Sequence, residues 1–214
     1  MIEVYTQNIN NTWLAVACDE QQIVASTFAD VEQKALKSLL DNLPLNRPFQ
    51  TFLIPSAFAK DTLALMADIL EGKDVSSMRF DFVTDYLPGY TVGVLRAVMQ
   101  IPVGYVSTYG AVARAVGGGP RAVGNVMAGN IFVPLIPCHR IVRGDFSLGG
   151  YGGGLKTKYQ MLMKEKRGHF EHKDIIINKN NNDDGYGEGG CGLLRVYPVE
   201  ETLQMLSYFK PLQL

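Results

Sequence analysis

A change of local pattern near residue 29 constrains the fold most. Residues 2–5, 13–17 and 23–28 are rich in β-branched and aromatic side chains, and turn-like stretches, Asn10-Asn11 and residues 19–22, separate them. The chain is therefore expected to open as a meander of short strands. From residue 30 to 43 the apolar positions Val31, Ala35, Leu36, Leu39 and Leu40 take up helical spacing, closed by Pro44 and Pro48. Residues 51–54 suit a further strand and 61–70 a second amphipathic helix. These elements make a small α/β domain over residues 1–86, ending where Pro88 and Gly89 mark a linker.

The next block, residues 90–170, reads as mainly helical, so the fold class expected for the whole chain is α+β. Residues 91–100 form a helix in which Val94, Leu95 and Val98 share a face. Residues 109–116 and 120–128 are two short helical segments around Gly117-Gly118-Gly119, with Pro120 suited to a first helical position. That arrangement fits a helix-turn-helix, although many helical hairpins bind nothing. Residues 132–142 are apolar but interrupted by Pro134, Pro137, Cys138, His139 and Arg140, as in a rigid turn that presents side chains. Residues 144–154 contain six glycines, and 155–166 return to helical spacing. Residues 171–214 read as a tail with an Asn/Gly-rich flexible loop over 178–192 and a last helix over 198–209.

Charge is distributed unevenly. Residues 1–90 carry 6 Lys/Arg against 12 Asp/Glu, residues 91–167 carry 10 against 2, and residues 168–214 carry 4 against 7. A basic block in an acidic chain is the footprint of a surface that neutralises phosphates, or else a solvated face. No run of about 18 apolar residues could span a bilayer, and the first ten residues do not resemble a signal peptide. The expected location is the cytoplasm or nucleoid. Cys18, Cys138 and Cys191 are odd in number and far apart, so no disulfide framework, metal or other cofactor is indicated.

Pro137-Cys138-His139-Arg140 carries the chemistry. A thiolate is a strong nucleophile, and a neighbouring imidazole with a positive charge nearby makes it available near neutral pH. A cysteine in an apolar run is also read as a small buried hydrophobe.

The sequence Ile136-Pro137-Cys138-His139-Arg140-Ile141-Val142 resembles the active-site sequence of the O6-alkylguanine-DNA alkyltransferases. The similarity extends over about residues 103–168. Pro120-Arg121-Ala122-Val123-Gly124 resembles the family's recognition-helix signature, and Gly129-Asn130, Tyr151-Gly152-Gly153-Gly154-Leu155 and Glu165 fall in register. Residues 1–86 are similar to the family's first domain, ribonuclease H-like, in size and order of elements only.

The resemblance implies single-turnover, irreversible transfer of an alkyl group from O6-alkylguanine, and from O4-alkylthymine, in DNA to Cys138. His139 would take the thiol proton through a water, Glu165 would orient His139, Tyr109 would protonate or hydrogen-bond the departing base, and Asn130 would buttress the turn. Arg121 would enter the stack of double-stranded DNA as the damaged nucleotide flips out, with the helix in the minor groove. Tyr109, Ala122, Gly124, Arg140, Gly152 and Gly153 would complete the DNA contacts of a monomer. Gly152 stands where many members have a serine. Tyr109 as a core residue, Arg121 as a plain phosphate contact, Asn130 as a helix cap and Glu165 as an exposed carboxylate are the alternatives residue by residue. A non-enzymatic sensor of alkylated DNA, a cysteine hydrolase and a plain DNA-binding regulator are the alternatives for the whole.

Overall fold

The structure is a computed structural model that describes residues 1–78, 81–178 and 191–208. The chain forms two compact units, Met1–Tyr86 together with Ile131–Ile136, and Leu87–Asn130 together with Pro137–Leu214.

In the first unit, β1 (Ile2–Ile9), β2 (Thr12–Asp19) and β3 (Gln22–Ala29) form the expected antiparallel meander. Asn10 and Asn11 both take positive φ, 51° and 61°, which is the requirement of the two-residue turn that joins right-twisted strands. A short β4 (Phe49–Thr51) lies parallel to β1, giving the order β3-β2-β1-β4. Residues 52–54, expected in that strand, lie outside it. Leu14 to Cys18 are buried without alternation, so β2 needs cover on both faces. Two helices, α1 (Glu32–Leu40) and α2 (Ala57–Leu70), pack against it. Ser56 starts α2 by accepting the Ala59 N–H.

The chain re-enters this unit at residues 131–136. Ser26 N–H donates to the Ile131 carbonyl at 2.8 Å, Val133 N–H donates to the Ser26 carbonyl at 3.1 Å, and the buried Phe132 ring meets Phe82 edge-on. Half of the apolar run before Cys138 thus belongs to the first unit's core.

The second unit contains α3 (Gly89–Met99), β5 (Tyr105–Thr108), α4 (Tyr109–Val116), α5 (Pro120–Ala128), a 3₁₀ turn at Cys138–Arg140, β6 (Ile141–Val142) and α6 (Leu155–Lys164). Thr108 caps α4 by accepting the Ala111 N–H at 3.0 Å. Gly117 and Gly118, at φ 95° and 79°, turn the chain into α5, and a Cβ on Gly118 would collide with the Tyr90 ring. Helices α3, α4 and α5 pack together as a helix-turn-helix core.

The residues expected to form a tail are part of this unit. They build β7 (Lys173–Asn178), β8 (Cys191–Pro198) and α7 (Val199–Tyr208), and the sheet runs β6-β5-β8-β7. Strand β8 pairs with β5, Ser107 Oγ donates to the Arg195 carbonyl at 2.7 Å, and Val199 N–H donates to the Gly104 carbonyl at 2.9 Å. Gly192 lies so close to α4 that a Cβ would clash with the Ala115 carbonyl. The expected flexible loop lies outside the described residues except at its ends, which sit in β7 and β8. Among the described residues, no helix is long and apolar enough to cross a membrane.

Candidate active site

Strand pairing builds the site. Strand β6 runs parallel to β5 with Ser107 opposite Ile141 and Thr108 opposite Val142, so the residues entering β6 and leaving β5 come together. The 3₁₀ turn that enters β6 is Cys138-His139-Arg140, and the residue that leaves β5 is Tyr109. Helix α6 faces the turn with the stripe Lys158, Met161, Leu162 and, at its C-cap, Glu165, all buried.

Cys138 is 7% exposed and His139 and Glu165 are fully buried. His139 Nε2 lies 2.8 Å from Glu165 Oε1. Arg140 donates from Nε to Glu165 Oε2 at 2.9 Å, from Nη2 to Oε1 at 2.8 Å and from Nη1 to the Ile101 carbonyl at 2.6 Å. Burial pushes the Glu165 carboxyl up, but His139 and the Arg140 guanidinium beside it outweigh burial and hold it at about 2. An ionised carboxylate only accepts, so the His139 Nε2 must carry the hydrogen. Burial also holds the imidazole below its ordinary pKa, which keeps it neutral and leaves Nδ1 as a lone-pair acceptor. That atom is buried with no hydrogen-bond partner among the described residues.

The Cys138 thiol is pushed up by burial, while a hydrogen bond from the Asn130 side chain, the charge of Lys158 and nearby backbone N–H groups pull it down. Desolvation thus keeps the sulfur protonated at rest, and the groups around it favour the thiolate once the proton leaves.

Lys158 is completely buried. Its Nζ donates to the carbonyls of Ile141 and Leu148, both at 2.5 Å, and of Gly150 at 3.3 Å. Burial draws its pKa down to about 8, and the three carbonyls meet the three donors of an ammonium, so it is a cation at neutral pH. This residue was not singled out from the sequence. Its signal was a charge on the apolar stripe of α6, four residues before Leu162.

Tyr109 is half-buried, and burial together with the neighbouring Cys138 raises its phenol, which stays a proton donor. Gly149, at φ 68°, lies against its ring; a Cβ there would come 3.2 Å from it. Tyr109 also lines a cleft of about 500 Å³ with Thr108, Arg114, Arg143, Phe146 and Tyr197. Arg121 is exposed in the first turn of α5, while Ala122 and Gly124 are partly covered. A Cβ on Gly152 meets nothing within 4 Å, so a serine fits there, whereas one on Gly153 would crowd the Tyr151 ring at 2.9 Å.

One expectation is corrected. Arg140, read as a DNA contact, is 6% exposed and commits its donors to Glu165 and Ile101. Removing a guanidinium from such a pair to reach a phosphate would strand a buried carboxylate. Arg140 belongs to the charge network under His139. Glu165 is likewise no exposed helix carboxylate.

The fold and site together define a helix-turn-helix domain that carries a buried cysteine next in sequence to a histidine held by a buried carboxylate. Residues 90–167 match the family described as 6-O-methylguanine DNA methyltransferase, DNA binding domain. A methylated-DNA–protein-cysteine methyltransferase of Pyrobaculum aerophilum is 48% identical over 68 residues, 32% of this chain and 46% of the relative. The chain spans about half the length of the curated relatives it matches. The crystal structure of the O6-methylguanine-DNA methyltransferase from Pyrococcus kodakaraensis strain KOD1 superposes with a TM-score of 0.60 at 24% identity, covering 77% of this chain and 99% of that one. For the Mycobacterium tuberculosis protein OGT in complex with DNA the TM-score is 0.59 at 22% identity, covering 77% and 92%. Residues 90–167 are thus similar to the DNA-binding domain of the 6-O-methylguanine DNA methyltransferases.

Proposed function

We propose that this protein repairs DNA by moving an alkyl group from O6 of guanine, or O4 of thymine, onto Cys138, once per molecule. One observation carries the reading: the buried His139 imidazole is fixed by Glu165 through Nε2, and its Nδ1 has no partner among the described residues. That is the state of a general base poised to take a proton through a water.

The chemistry follows from these groups. As the Cys138 proton passes through a water to His139 Nδ1, the sulfur attacks the alkyl carbon in line with the C–O6 bond. The new S–C bond forms, the C–O6 bond breaks, and its electron pair stays with guanine. Tyr109 supplies a hydrogen bond or proton to the departing base, and the proton on His139 restores the balance. Lys158 and Asn130 stabilise negative charge on sulfur as it develops. The thioether is the end product of this single transfer.

The substrate is double-stranded DNA, in keeping with the basic charge of residues 91–167 and with the M. tuberculosis protein OGT, described in complex with DNA. Helix α5 enters the minor groove, Arg121 takes the place of the flipped nucleotide, and Ala122, Gly124, Gly152 and Gly153 let the backbone approach DNA closely. The protein acts as a monomer in the cytoplasm, on the nucleoid. The test is a titration of fixed protein against excess duplex containing O6-methylguanine, counting repaired lesions. The expected plateau is one lesion per protein molecule. Continued turnover would point to a hydrolase-like use of Cys138, and an intact lesion would end the proposal.

A further inference from the structure

The loop after β6 carries a conformational anomaly. Phe146 N–H donates to the Arg143 carbonyl at 3.0 Å and Arg143 N–H donates to the Ser147 carbonyl at 2.9 Å, a tight turn followed by a one-residue bulge. Such a bulge needs a left-handed residue and is ordinarily glycine. Here it is Phe146, at φ 63°, a conformation that a bulky side chain adopts only when its surroundings impose it.

The surroundings are the C-terminal strands and helix. The Phe146 ring meets the Tyr197 ring edge-on at 5.0 Å, and His172 meets Tyr197 at 4.9 Å. Both Phe146 and Tyr197 pack on a cluster of Val106, Val142, Leu148, Leu162 and Val199. This cluster joins the loop to α6 and α7. From the other side Lys158 holds the Leu148 and Gly150 carbonyls, and Gly149 rests on Tyr109. Tyr197 lies outside the residues 90–167 that match the family.

We propose that β7, β8 and α7 are a brace for the active site, and that Tyr197 is a positioning residue. By anchoring the Phe146 ring it holds the bulge left-handed, so that residues 147–153 set Tyr109 and the glycine loop against the target base. The inference rests on the alkyl-transfer reading above and adds to it a part that the family's matched segment does not contain.

The test compares Phe146→Ala with Phe146→Gly, and Tyr197→Ala with Tyr197→Phe, in the full chain. The readouts are the first-order rate of alkyl transfer at saturating O6-methylguanine duplex, the half-saturating DNA concentration, and hydrogen exchange of the amides of residues 143–153. Alanine at 146 loses the anchor but keeps the Cβ that disfavours positive φ, whereas glycine takes that φ freely. Phe146→Ala and Tyr197→Ala are expected to slow transfer about tenfold, with faster loop exchange and half-saturation within about twofold, since misplacing reacting groups costs rate. Phe146→Gly and Tyr197→Phe are expected to stay within about threefold of the natural protein. Equal losses for alanine and glycine at 146 would reduce the contact to packing and overturn the inference. So would an unchanged rate and exchange in Tyr197→Ala. If Tyr197→Ala does not fold, the pair of variants at 146 decides alone. A natural protein that takes no alkyl group sinks the transfer reading and this inference with it; one that reacts while all variants match it sinks only the inference.

Discussion

Two buried cysteines lie in the two units, and they differ in what surrounds them. Cys18 ends the buried run of β2 and is fully covered; burial, reinforced by Glu3, pushes its thiol up to about 12. Cys138 is nearly as buried, but Asn130 and Lys158 oppose the same desolvation. The first unit's buried polar residues are Ser26 and Thr62, whereas the second buries His139, Arg140, Lys158 and Glu165 among the described residues. Burial alone thus makes a cysteine inert. A buried cysteine becomes a nucleophile only where the fold also accepts the cost of desolvating a base, a carboxylate and a cation, and keeps each of them hydrogen-bonded.

That contrast can be broken in several places. The largest effect is expected for Cys138→Ala, which removes the proposed nucleophile while leaving the helix-turn-helix untouched. Alkyl transfer should fall at least about a thousandfold, with duplex affinity within a few-fold in a gel-shift titration; appreciable residual transfer would place the acceptor elsewhere. Next comes Glu165→Gln, which leaves the Arg140 guanidinium buried without its counter-charge and the His139 tautomer unfixed. Breaking such a pair costs about 3–5 kcal/mol, measurable by urea unfolding. The sign with pH follows from the same group. A carboxyl at about 2 when folded, against an ordinary 4.5, stabilises the fold fully above pH 4.5. That contribution drains away as the pH falls towards 2. Acid should therefore erode the natural protein more steeply than Glu165→Gln; parallel curves would contradict the ionised carboxylate.

A smaller effect should accompany the reaction itself. An alkyl group on a sulfur that is 7% exposed adds volume inside a packed turn, and overpacking costs about 1–3 kcal/mol. The alkylated protein should melt at a lower temperature, and an equal Tm would show that the turn has room. The smallest effect is expected for Cys18→Ala, a loss of about 1 kcal/mol in stability with an unchanged transfer rate. A slowed rate there would dissolve the distinction between the two cysteines.

Local pattern sufficed where the fold is local. The meander, α4 and α5 follow from short runs of residue type, from Asn10-Asn11 and from the glycines before Pro120. The candidate site residues Cys138, His139, Glu165, Tyr109 and Asn130 stand out in the sequence as a set in register, and the structure brings Cys138 near Asn130, Tyr109 and Lys158, and His139 to Glu165. What escaped the sequence depended on partners far along the chain. Arg140 reads the same whether it faces a phosphate or a carboxylate 25 residues on. Strands β7 and β8 are separated by residues with no pattern to signal their pairing. Lys158 sits on an apolar stripe and needs three loop carbonyls to explain it. Phe146 reveals itself only through its φ.

The most direct measurement is intact and peptide-mapped mass spectrometry after incubation with a duplex containing O6-methylguanine, beside Cys138→Ala. The account predicts a single methyl increment, located on Cys138, saturating at one per chain and absent from the variant. A methyl group on Cys18 or on any other residue, or no increment on a protein that binds the duplex, would contradict it.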